Sequence, residues 1–109
     1  MYLSLLDRRS TRNSVIDVSG DIDINSAPWL EEHLMKLLEA SGTHLLVDLS
    51  GVTFIDCAGL RMLLATCRQA EQQECSVRFT ALSPQVQRLA VLTGMREELP
   101  LSPSPLEGL

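Results

Sequence analysis

Leu45-Leu46-Val47-Asp48-Leu49-Ser50-Gly51-Val52-Thr53-Phe54-Ile55-Asp56-Cys57-Ala58-Gly59-Leu60 is the stretch whose reading decides the fold. Its first three residues form a short unbroken apolar run, the pattern of a central strand buried on both faces. Asp48 to Cys57 reads as a loop. From Ala58 to Gln73 the period becomes helical. Leu60, Leu63, Leu64 and Cys67 share one stripe, and Arg61, Arg68, Gln69 and Gln72 lie elsewhere on the surface. Strand, loop and helix in this order make half of a crossover unit, and the flanking segments supply the rest.

Upstream, Leu3 to Leu6 reads as a short edge strand and Asp7 to Asn13 as a turn. Val15-Ile16-Asp17-Val18-Ser19 is rich in β-branched residues and stops at Gly20, so it reads as a second strand able to pair with the first as an antiparallel hairpin. A helix is expected over Ala27 to Ser41. Leu30, Leu34, Leu37 and Leu38 form its buried stripe, Ser26 is placed to cap it, Pro28 fits its first turn, and Gly42 ends it. Downstream, Val77, Phe79 and Ala81 alternate with polar neighbours as in a strand. Ser83 to Thr93 then reads as a capped helix stopped by Gly94. Three of the five prolines fall at Pro100, Pro103 and Pro105, so Leu99 is expected to add at most a short strand before a tail. Alternating strands and helices imply an α/β fold: a mixed, mostly parallel sheet of four to five strands with helices packed against it. The expected division is one domain over 1–99 and a proline-rich flexible tail over 100–109.

Composition narrows the function. The chain has 109 residues, 9 basic against 14 acidic, for a net charge of -5. Eight of the bases are Arg and they are scattered, so no basic stripe tracks a phosphate backbone, which argues against nucleic-acid binding. No apolar run reaches the roughly 18–20 residues that cross a bilayer. The N-terminal charges follow the apolar stretch instead of preceding it, unlike a secretory signal. Cys57, Cys67 and Cys75 are odd in number and lack metal-ligand spacing, so they read as reduced thiols of a cytoplasmic protein with no metal and no cofactor. His33 and His44 read as surface residues. Neither is placed to serve Cys57 as a base, so a cysteine nucleophile, and with it an enzyme, is not expected.

In sheets of this type, sites form from loops at the carboxyl ends of strands. Two segments qualify. Gly20 to Ser26 leads into the first helix, and Leu49 to Cys57 leads into the second, putting Asp56, Cys57 and Ala58 at its start. Asp56 reads as an N-cap. Gly59 is disfavoured by about 1 kcal/mol inside a helix, which close approach of another backbone would explain.

At these residues the chain resembles the STAS domain family. Gly20-Asp21-Ile22-Asp23 is similar to its Gly-Glu-Leu-Asp motif, and Asp56-Cys57-Ala58-Gly59-Leu60 to its Asp-Ser-Ser/Thr-Gly-Leu motif. Ser83-Pro84-Gln85-Val86-Gln87-Arg88-Leu89, ending at Gly94, resembles the helix that follows. The resemblance spans residues 1–99 and lies nearest the anti-sigma factor antagonists. It implies a binding protein that engages an anti-sigma factor of the serine-kinase fold and so frees a sigma factor, as a monomer or weak homodimer, without membrane insertion. It implies a partner-binding surface of Gly20, Asp21, Asp23, Asn25, Ser26, Asp56, Cys57, Ala58, Gly59, Leu60, Arg61 and Leu64. Among these, Arg61 also reads as an ordinary solvated side chain and Leu64 as core. Trp29 reads either as packed against the hairpin or as an exposed anchor.

The resemblance breaks at one point. Where the family carries the serine its kinase phosphorylates, this chain has Cys57, followed by Ala58. Three readings stay open: a partner binder that phosphorylation at this site cannot switch off, a Cys57 redox switch, or a STAS subunit of another assembly, such as a transporter-associated or signalling complex.

Overall fold

The computed structural model describes residues 3–9, 13–40 and 42–101. The chain runs β1 (Leu3–Arg9), β2 (Asn13–Ile22), α1 (Ala27–Leu37), β3 (His44–Ile55), α2 (Cys57–Gln72), β4 (Ser76–Leu82) and α3 (Pro84–Thr93), then a single 3₁₀ turn at Arg96–Glu98. The sheet order is β1-β2-β3-β4. β1 pairs antiparallel with β2, and β2, β3 and β4 are mutually parallel. This is the expected mixed α/β sheet. No helix among the described residues is long and apolar enough to cross a membrane.

Crossovers that step the same way across a sheet and keep the right hand place their helices on the same face. Both β2-α1-β3 and β3-α2-β4 step toward β4. Accordingly Ile16, Val18, Leu45, Val47, Leu49, Val77 and Phe79 gather with Leu30, Leu34, Leu60 and Leu63 in one buried cluster. Val86 and Ala90 of α3 join it, and α3 packs against β3 and α2. The alternate strand residues Asp17, Leu46 and Asp48 are half-buried and Arg78 is exposed. The core strand is thus not buried on both faces: Leu46 looks away from the helices.

Four local expectations change. The hairpin is longer than its apolar run, because Asp7–Arg9 pair with Ile16–Ser14 where a turn was expected. Residues 10–12 of that turn lie outside the described residues. Asp48–Ile55 is strand, not loop. β3 carries two extra residues relative to β2, so Asp17 and Ser19 face Asp48 and Gly51, and Gly20 and Asp21 face Val52 and Phe54. The buried side chains there fall at Leu49, Val52 and Ile55, every third residue, and the two-residue period that marks a strand is lost. α1 ends at Leu37, because the Leu38 N–H is shared between the carbonyls of Leu34 and Met35, which tightens and closes the last turn before Gly42 is reached. Finally, the C-terminal bridge forms at Leu101, paired parallel with Phe79, and not at Leu99, which is buried.

Candidate functional site

The two motif segments meet at the carboxyl end of the sheet, and three carboxylates fix how they meet. Asp56 caps α2. Its Oδ1 accepts from the Gly59 N–H at 2.8 Å, as expected of an N-cap, and its Oδ2 accepts from the Ile24 N–H at 3.1 Å. One side chain therefore ties the β2–α1 loop to the first turn of α2 across 32 residues of sequence. The Asp56 N–H donates to the Ile22 carbonyl at 3.2 Å, which closes the same joint from the backbone side.

Asp23 organises the loop itself. Its Oδ1 accepts from the N–H groups of Asn25 and Ser26, both at 2.9 Å. Those bonds hold its carboxyl below the usual range, the Ser26 N–H most of all, against burial that works the other way. Asp23 is only 6% exposed. Asp23 is therefore a scaffold of the loop. Asp23→Lys would put a long cation where the N–H groups of Asn25 and Ser26 point.

Ser26 differs from its expected role. Its hydroxyl does not cap α1; it accepts from the Asp23 N–H and donates to the Asp21 carbonyl, each at 2.9 Å. Asp21 is half-buried, and its Oδ1 accepts from the Thr53 hydroxyl at 3.2 Å. Gly20 takes a φ of 99°, a left-handed conformation at the second β3 bulge that a side chain would strain.

The remaining site residues divide by exposure. Cys57 and Arg61 are exposed on α2, Asn25 is exposed on the loop, and Asp56 and Ala58 are half-buried. Gly59, Leu60 and Leu64 are buried beneath this surface, which for Leu64 is the core placement that its stripe also suggested. Gly59 meets the expected close approach: a Cβ there would stand 2.7 Å from the Ile22 carbonyl oxygen. Cys57 thus stands on the surface beside the loop that Asp23 builds. Sequence reasoning missed two exposed apolar residues here, Ile24 at 68% and Phe54 at 47%. Hydrophobicity alone marks both for the core; only the fold shows them outside.

Neither histidine serves Cys57. His33 Nε2 lies 3.2 Å from Asp7 Oδ1, and His44 Nδ1 lies 2.8 Å from Ser76 Oγ. Trp29 is half exposed and stacks on His33 with ring centroids 6.4 Å apart, and it is His33 that reaches Asp7 of β1. Among the described residues no group of three or more His, Cys, Asp or Glu is arranged to hold a metal ion.

The three thiols should separate chemically. Cys67 lies on the core stripe, and burial pushes its thiol up to about 12, with Glu71 adding to the effect. Near pH 8 that leaves only about one thiolate in ten thousand. Cys75 is buried with its S–H among the carbonyls of Leu38, Ala40 and Gln73. Iodoacetamide on the folded protein is expected to add once, at Cys57, and at all three cysteines after denaturation. Native labelling of Cys67 at a rate matching Cys57, seen by peptide mass mapping, would contradict this placement.

A family model described as the STAS domain matches residues 5–107. The anti-sigma-B factor antagonist of Bacillus subtilis is 31% identical over 98 residues, which cover 89% of each chain. An anti-sigma factor antagonist from Mycobacterium paratuberculosis, solved as a crystal structure, superposes with a TM-score of 0.81 at 31% identity, covering 97% of this chain and 90% of that one. The anti-sigma factor antagonist SpoIIAA in its unphosphorylated form superposes at 0.73 with 17% identity, over 96% of this chain and 92% of the other, and shares the fold.

Proposed function

The chain belongs to the STAS domain family, and from that we propose that it is an anti-sigma factor antagonist: it binds a serine-kinase-type anti-sigma factor and frees the sigma factor that the kinase holds. Its role is binding, not catalysis. The observation that carries this reading is the bond from the Ile24 N–H to Asp56, which locks the two motif segments into one surface with Cys57 exposed beside them. Relatives at 31% identity over nearly the whole chain, named as antagonists, support the same role.

The finer part of the proposal concerns the switch. A kinase of this class makes a P–O bond, and position 57 offers sulfur while position 58 offers a methyl group. Partner binding by this chain is therefore not reversed by phosphorylation at the motif. Its docked state is governed by concentration and competition alone.

Isothermal titration of the chain into a purified kinase-fold anti-sigma factor from the same organism tests the role. Saturable binding, with release of the sigma factor from a preformed complex, is expected. If every such kinase in that organism fails to bind, the antagonist role is wrong, and a STAS subunit of another assembly takes its place.

A further inference from the structure

We infer that Ile24 is an anchor residue of the docking surface, entering an apolar pocket on the anti-sigma factor next to the contact made around Cys57. This rests on the antagonist reading above and adds to it a residue and a partner chemistry.

The argument starts from the loop backbone. Every N–H from Asp23 to Ala27 has an acceptor. Asp23 N–H donates to Ser26 Oγ, Ile24 N–H to Asp56 Oδ2, Asn25 and Ser26 N–H to Asp23 Oδ1, and Ala27 N–H to the Asp23 carbonyl at 2.8 Å. Five consecutive donors held in this way leave the loop little freedom. Two of the acceptors are carboxylates, which make stronger bonds than neutral groups. The loop is rigid before any partner arrives.

What this rigid loop displays is an isoleucine 68% open to water. A single exposed apolar residue on a protein surface is ordinary and calls for no role. Ile24 differs because it is held in place by the side chain that also caps α2, one residue before Cys57. Such an anchor loses little entropy when it is buried by a partner, because its backbone is already ordered. Phe54, 47% exposed and in register with Asp21, is a second exposed apolar side chain toward the same end of the sheet. Of the motif's polar members, Asp23 is buried and both oxygens of Asp56 accept bonds from within the chain, while Asn25 stays exposed beside Ile24. With the carboxylates of Asp23 and Asp56 engaged within the chain, Ile24 is the apolar contact this corner offers, and the complementary partner surface is an apolar pocket with a polar rim facing Asn25.

The test is the affinity of Ile24→Asp, Ile24→Val and the unaltered chain for one kinase-fold anti-sigma factor, with thermal melts of each. Ile24→Asp is expected to weaken binding by about 30-fold or more, the range of an interface hot spot, with an unchanged melting temperature. Ile24→Val, which keeps the branched apolar shape, is expected to bind within a few-fold of the unaltered chain. Leu92→Ser serves as the control. Leu92 is 75% exposed near the end of α3, which runs back from the carboxyl end of β4 and so finishes at the opposite end of the sheet. It is expected to bind unchanged. Binding by the unaltered chain together with equal binding by Ile24→Asp overturns the anchor and leaves the antagonist role standing. Absence of binding by the unaltered chain is instead the failure of the role itself.

Discussion

A Cys57→Ser variant incubated with its kinase-fold anti-sigma factor and ATP is expected to gain one phosphoryl group, while the unaltered chain gains none. The local structure is ready for such a group. Cys57 is exposed as the first residue of α2, where unpaired N–H groups and the positive end of the helix dipole accommodate an anion. Asp56 and Gly59 keep their capping bond whatever atom stands at position 57, because that bond uses neither side chain at 57 nor 58. A serine hydroxyl would take the γ-phosphoryl of ATP, with ADP leaving. The product would carry about -1.5 to -2 charges next to Asp56 and the Ile24 loop. A partner shaped around a neutral side chain would be expelled, so ATP should dissolve the complex of the variant and spare that of the unaltered chain. Intact-mass measurement decides. A phosphoryl increment on the unaltered chain, mapped to Ser50 or Thr53, would place the switch on β3 and refute the role assigned to Cys57.

Gly59→Val is expected to destabilise the domain by about 3 kcal/mol and to abolish docking with it, measured by urea unfolding and by titration against the anti-sigma factor. The helix alone would favour replacing this glycine, by about 1 kcal/mol for alanine. The neighbours decide otherwise. A Cβ at position 59 would stand 2.7 Å from both Cγ2 and the carbonyl oxygen of Ile22. The Ile22 side chain is fully buried in the core, and its carbonyl already accepts the Asp56 N–H, so neither atom can yield without opening the joint between β2 and α2. Gly59→Ala should fall between the two, its overpacking partly offset by the better helix residue. A Gly59→Ala protein more stable than the parent would mean that the joint is loose and that the site is not held as described.

Much of the site could be read in the residues because the cues were local. Asp56 before a helical stripe reads as a cap, Gly59 inside a helix asks for a close neighbour, and Ser83-Pro84 with Gly94 brackets α3. Both ends of α3 are as read: Ser83 Oγ accepts from Val86 N–H, and Gly94 is left-handed with φ 73°. What escaped was set by contacts distant in sequence. The second half of β3 could not be recognised, because its two extra residues erase the alternation and only pairing with β2 makes it a strand. Asp7 and its neighbours look like a turn by polarity, yet they are carried into the sheet by β2 opposite them. Asp23 looks like a surface acid, and only the fold shows its oxygens turned onto Asn25 and Ser26. Ile24 reads only as one more residue of a loop, and it takes the fold to show its N–H held by Asp56 of another segment and its side chain facing water.

The bridge between Phe79 and Leu101 has a consequence for how copies of this protein meet at high concentration. A sheet border with free amides is a template on which further chains can stack into fibrous aggregates. On β4 the Phe79 amide is already engaged by the Pro100 carbonyl at 2.8 Å, so the segment from Leu99 to Leu101 lies across that border. Stacking from that side would first have to peel this segment away, and the buried Leu99 anchors it against peeling.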